Sequence, residues 1–205
     1  MRYVPLAAVL ATAGIAFLWR PWLQRRRYGH SGILLFRSPD RAQQLRDALV
    51  LLLFVLLLAQ AFAAAVAPAA LPLAQADRRA PAGVRNVTGI VLLIAGLALL
   101  VTAQLQLGAS WRVGIDDAAR PGLVTSGLYA RSRNPIFLAL LVIIAGYMLL
   151  IPTFLSAILL GAAYIGTRLQ IHAEESYLLR AYGDQYRAYA SRVGRLLPGI
   201  GKCPA

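Results

Sequence analysis

Two glutamates stand side by side at Glu174 and Glu175, and they are the only two in the 205-residue chain. They follow directly on an apolar run and close a polar set with Arg168, Gln170 and His172. An ionised group costs up to about 2.5–3.5 kcal/mol at the centre of a membrane helix and less toward the interface, so such groups tend to face a partner or a site. The plainer alternative is a solvated helix start, with the acids near a positive helix end. The other acids, Asp40, Asp47, Asp77, Asp116, Asp117 and Asp184, fall in expected loops or surface helices, where solvation accounts for them.

A second constellation precedes the same apolar run, in the stretch LVTSGLYARSRNPIF at 123–137. Asn134 followed by Pro135 reads as a helix start: asparagine as N-cap, proline at the first helical position, where its missing N–H does no harm. The free N–H groups of the next residues, Ile136 and Phe137, then point at whatever occupies the loop. With Arg131 and Arg133 beside them they would make a cradle for a carboxylate or phosphate. If the intervening run leaves and returns on one membrane face, Asn134-Pro135 and Glu174-Glu175 meet there. Such a pocket offers N–H groups for a carboxylate, an acid for an ammonium and an apolar wall for an aromatic ring, which are the needs of an amino-acid-bearing cofactor.

The elements that position these residues are membrane helices. The chain is 59% apolar and only 14% charged, with a mean hydropathy of +0.63; an average soluble domain is about a quarter charged. A soluble domain and a disordered chain are both excluded. Runs at 3–19, 48–67 and 87–107 are each long enough to cross a hydrocarbon core of about 30 Å. Arg20, Arg25, Arg26 and Arg27 follow the first run immediately, which predicts an uncleaved helix with its N-terminus outside. The fourth run, 136–167, holds 32 uncharged residues, with Ile151-Pro152-Thr153 at its centre. Proline disfavours helical geometry in the residue before it, so the run is expected to fold as a tight hairpin of two helices of roughly 24 Å each.

The net charge of +13 comes from basic residues clustered between the apolar runs. Seventeen lie in segments that this scheme places on one side and four on the other, so the larger group is cytoplasmic by the positive-inside rule. Because these charges do not form one face of a soluble module, nucleic acid is not an expected partner. The fold class expected is therefore all-α: a helical bundle of about five transmembrane helices, the last two a tight hairpin, in one membrane domain over 1–205. It divides into N-terminal helices with a basic loop at 1–107 and a site-bearing half at 108–205. In the tail, Tyr182, Tyr186, Tyr189 and Val193 recur at three- and four-residue spacing, as in an amphipathic helix at a membrane surface or an aromatic belt. Cys203 is the only cysteine, and His30 and His172 are far apart, so neither a disulfide nor a metal site is expected.

The stretch at 123–137, then the hairpin, then EESYLLRAYGDQYRAYASRVGRLLP at 174–198 resembles the catalytic half of the isoprenylcysteine carboxyl methyltransferase and phospholipid methyltransferase superfamily. The resemblance covers about residues 108–198, and both motifs lie at the family's separation. It implies a membrane-embedded enzyme using S-adenosylmethionine without a Rossmann fold, in keeping with the lack of any strand followed by GxGxxG. Carried across, the cofactor would be held by Gly122, Leu123, Val124, Tyr129, Asn134, Pro135, Ile136, Phe137 and Glu174. The chain departs from the family pattern at Asn134, in place of histidine, at Phe137, in place of tyrosine, and at Ala139, in place of glycine. The family's substrate arginine falls on Gln170, with Arg168 two positions away.

The resemblance implies methyl transfer to a lipophilic acceptor that enters from the bilayer. The expected location is a bacterial inner (plasma) membrane, with the site on the cytoplasmic side that the basic residues mark. Arg168, Gln170, His172 and Glu175 are the expected catalytic set, and His172 or Glu175 is the candidate base for an amine or hydroxyl acceptor. Two rivals stand beside this reading: a nicotinamide-dependent sterol or isoprenoid reductase, and a membrane scaffold or transporter subunit without catalysis. Oligomeric state and acceptor identity are left open by the residues.

Overall fold

The computed structural model describes residues 1–71, 81–114 and 122–202. Asp77, Asp116, Asp117 and Cys203 lie outside the described residues. The described chain is helical, with two isolated bridge pairs and no strand among those residues. Helix α1 runs Val4–Tyr28, α2 Arg41–Val66, α3 Ala82–Leu107, α4 Pro135–Leu150 and α5 Phe154–Arg192. All but α4 are long and apolar enough to cross a membrane, and together they form a helical membrane bundle.

Helix α1 is longer than its apolar run. It passes through a π-helical segment, Gly14–Trp19, and continues past Arg20, which is 1% exposed rather than solvated in a loop. The guanidinium finds partners at the end of α3, where helical carbonyls lack intrahelical donors. Nε donates to the Gln104 carbonyl at 3.3 Å and Nη2 to that of Gly108 at 2.8 Å, and the Trp111 ring lies 4.8 Å away. Gln24, one turn on, donates to the Ala109 carbonyl. Helix α2 likewise starts earlier than its apolar run, capped by Asp40, which accepts from the Ala42 N–H. That places Asp47 inside the helix and 4% exposed, not in solvent as its charge suggests; it accepts from the Phe36 N–H and from Gln43, both at 2.8 Å.

Helices α3 and α4 pack with their backbones in near contact. A Cβ on Gly96 would stand 2.6 Å from Ile143, and one on Gly146 would stand 2.8 Å from the Gly89 carbonyl oxygen. In lipid the helices gain nothing from hiding apolar surface, so close approach through small residues supplies the attraction.

Helix α4 ends where the sequence places the hairpin turn. Its 16 residues reach about 24 Å, short of a full crossing of about 30 Å. The turn is bound by a buried polar cluster. The Tyr147 hydroxyl shares its one proton between the Leu57 carbonyl and Gln60 Oε1, Gln60 donates to Thr153 at 2.6 Å, and Ser156 donates to the Ile151 carbonyl. Thr153 also caps α5 by accepting from the Ser156 N–H. Helix α5 then runs unbroken until Gly183, whose φ of 50° and ψ of −122° interrupt it. That stretch is about 44 Å long, so its C-terminal part stands beyond any membrane core. Glu174 and Glu175 lie on this projecting part.

The glycine contact is testable by thermal unfolding in detergent. Gly96→Leu and Gly146→Leu should each cost about 1–3 kcal/mol through overpacking, whereas Gly161→Leu, whose Cβ meets nothing within 4 Å, should leave the midpoint unchanged. Equal effects at the three positions would contradict the packing described.

Candidate functional site

The loop entering α4 and the projecting part of α5 are held together by charge. Arg133, with a side chain 2% exposed, pairs with Glu175 at 2.8 Å, and Arg195 pairs with the other carboxylate oxygen at 2.7 Å. Arg133 also donates to the carbonyls of Ala190 and Gly201, and its N–H donates to the Gly194 carbonyl. Gly194 permits this turn because a Cβ there would lie 2.0 Å from the Leu197 carbonyl oxygen. The C-terminal segment 190–201 is thereby wrapped against the start of α4.

Asn134 occupies the N-cap position of α4, but its side chain makes no cap. Its amide instead donates to the Arg195 carbonyl at 3.0 Å, so the expected capping role is corrected to one of fastening the C-terminal segment. The consequence favours a site: the first turn of α4 keeps N–H groups at Ile136 and Phe137 that no helical carbonyl can reach.

A cavity of about 190 Å³ lies between these elements, and Gly122, Leu123, Val124, Tyr129, Asn134, Ile136, Phe137 and Glu174 all line it. Pro135, expected beside them, is fully buried and does not face the cavity. The loop after α3 adds Ser110, Arg112 and Gly114, and α5 adds Tyr177, Leu178, Tyr182, Tyr186 and Tyr189. The tail tyrosines are thus a wall of the cavity and not a belt against lipid: Tyr186 and Tyr189 are each 4% exposed. Tyr189 donates to the Tyr129 carbonyl at 2.6 Å, and Tyr182 accepts from the Gly122 N–H at 3.1 Å. Gly122 has a φ of 100°, a conformation that suits glycine. Burial, and then the nearby Glu174 carboxylate, hold the Tyr129 phenol far above its usual range. It stays protonated and donates to the Ala103 carbonyl.

The expected catalytic set is not gathered at the cavity. Arg168 and His172 are exposed and Glu175 is engaged by its two arginines, while Gln170 stands behind the cavity and donates to Glu174 at 3.0 Å. None of the four lines it. Arg131 is exposed and does not line the cavity, whereas Arg133 lines it with its guanidinium paired to Glu175, so of the expected basic pair one member stands at the cavity. The tyrosine wall was within reach of the sequence, since positions 182, 186 and 189 share a helix face; what hid it was that a membrane surface accepts the same pattern. Removing one partner of a buried ion pair strands the other charge. Glu175→Ala should therefore lower stability by about 3 kcal/mol in denaturant unfolding, and Arg195→Ala, whose side chain is 29% exposed, should lower it by less. A neutral Glu175→Ala would remove the ion pair from this account.

Comparison with known proteins bears on what such a cavity serves. Residues 84–185 match the model of the phospholipid methyltransferase family. The chain is 28% identical over 122 residues to the Schizosaccharomyces pombe protein-S-isoprenylcysteine O-methyltransferase, a match covering 57% of this chain and 51% of that protein, so it spans about half the relative's length. The fold is similar to that of the eukaryotic intramembrane Ras methyltransferase, isoprenylcysteine carboxyl methyltransferase. That similarity has a TM-score of 0.57 and 20% identity, covering 97% of this chain and 63% of the other. The family match takes in α3, the loop into α4, the hairpin and Glu174, the elements that build the cavity, and the structural match extends over the whole bundle. On the family match and the relative together, the chain belongs to the isoprenylcysteine carboxyl methyltransferase and phospholipid methyltransferase superfamily, and the structural similarity shows the shared helical membrane fold.

Proposed function

We propose that this protein is a membrane-embedded methyltransferase that uses S-adenosylmethionine to methylate a lipophilic acceptor. The observation that carries this reading is the meeting, in one cavity, of the Glu174 carboxylate and the open first turn of α4. The residues present fit the cofactor's charge pattern. Glu174 suits an ammonium, the N–H groups of Ile136 and Phe137 suit a carboxylate, and Tyr177, Tyr182 and Tyr186 give an aromatic wall suited to a purine face. When bound, the sulfonium supplies an electrophilic methyl group.

The protein's own work is then to orient the two reactants and to exclude water, which can account for several kcal/mol of a transfer barrier. Loop 122–124, fastened through Gly122 to Tyr182 and Ser110, closes one side, and the tyrosines of α5 wall another. Among the described residues no histidine lines the cavity, and Glu175 is committed elsewhere. This favours an acceptor that arrives already ionised, a carboxylate or a thiolate, over an amine or hydroxyl that would need a base. The matched proteins are methyltransferases, which leaves the reductase and scaffold alternatives without comparable support.

Titration calorimetry on detergent-solubilised protein should show micromolar-range binding of S-adenosylmethionine. Glu174→Ala should weaken it by roughly tenfold or more, the effect of losing a charged hydrogen bond, and Asn134→Ala should weaken it too. Incubation of membranes with methyl-labelled cofactor should place label in a lipid fraction. Folded protein that binds no cofactor would overturn the reading.

A further inference from the structure

Helix α2 lies outside both motifs, yet it carries buried polar residues that the proposed chemistry does not use. Gln43 is 3% exposed and Asp47 is 4% exposed. Their hydrogen bonds run in one direction toward the cavity. Arg46 donates from both Nε and Nη2 to Gln43 Oε1, at 3.1 and 2.8 Å, which fixes the amide with its nitrogen on the opposite side. That nitrogen donates to Asp47 Oδ1 at 2.8 Å and lies 3.5 Å from Gln170 Oε1. Gln170 in turn has its nitrogen toward Glu174 Oε1, at 3.0 Å. Asp47 is itself held by the N–H of Phe36, a residue in the left-handed region with a φ of 60°.

We infer that Gln43 and Asp47 are positioning residues for the cavity carboxylate: they set the direction of the Gln170 amide so that Glu174 always meets a donor. An amide is symmetric in shape and reversible in polarity, so a lone Gln170 could present either end to Glu174. The charged pair on α2, Arg46 on the oxygen of Gln43 and Asp47 on its nitrogen, removes that freedom. With the donor fixed, Glu174 keeps one carboxylate orientation toward the cavity, ready for a cation. This deepens the cofactor reading and rests on it.

The test is a double-mutant cycle on cofactor affinity, read by calorimetry with S-adenosylmethionine, alongside thermal midpoints. Asp47→Asn leaves one of the two donors that Asp47 accepts, the Gln43 amide or the Phe36 N–H, facing an amide nitrogen, and should weaken binding roughly tenfold, as should Gln170→Ala. In the double variant the losses should not multiply, because without the Gln170 amide the direction set on α2 no longer reaches Glu174. A merely structural role for Asp47 would lower the midpoint and give independent, multiplying losses, and that result overturns the inference. Asp47→Asn binding like the parent overturns it as well. Should Asp47→Asn fail to fold, Gln43→Leu enters the same cycle with the same expectations. Parent protein that binds no cofactor, or Glu174→Gln that binds as the parent does, removes the cofactor reading itself. Parent binding and a Glu174→Gln loss with an additive cycle remove the relay alone.

Discussion

A backbone that reverses direction within an apolar layer must find a partner for every carbonyl it exposes, because no water is there to take it. The turn at 151–153 answers this with side chains from three helices. Ser156 takes the Ile151 carbonyl, Thr153 caps the start of α5, and Gln60 of α2 joins both to the Tyr147 hydroxyl. Each polar atom is buried and bonded to another in the same cluster, so the hairpin has one geometry. With the hairpin fixed, α5 must emerge on the face where α4 began, and residues about forty positions apart in sequence become neighbours.

What happens at that face is a division of labour between two adjacent acids. Successive residues on a helix point about 100° apart, so Glu174 and Glu175 cannot share one role. Glu175 turns to Arg133 and Arg195 and binds the C-terminal segment to the start of α4. Glu174 turns into the cavity, where it accepts from the Gln170 amide. The ion pair is thus the scaffold on which the cavity carboxylate is displayed. The α3–α4 glycine contact serves the same end by bringing the loop after α3 against the tyrosine wall of α5.

The helical bundle, the hairpin and its turn were legible because hydropathy and Pro152 act locally. The cavity's lining was legible through the two motifs, and the loop and helix start at 122–137 face Glu174 as their pairing implies. Three features were not legible, each for the same reason: sequence shows a residue's type, and partners distant in the chain decide its burial. Arg20 reads as an interfacial charge until the carbonyls of Gln104 and Gly108 are beside it. Asp47 reads as a solvated helix start until the Phe36 N–H closes on it. The tyrosines of α5 read as lipid-facing until loop 122–130 packs over them.

The central claim is that one cavity, built from two separated stretches of chain, receives the methyl donor. A photoreactive S-adenosylmethionine analogue, crosslinked to the detergent-solubilised protein and mapped by peptide mass spectrometry, tests it most directly. The account predicts labelled peptides from both 122–137 and 174–189, with unmodified cofactor competing for both. Competable label confined to α1 and α2, or label in only one of the two stretches, would contradict it.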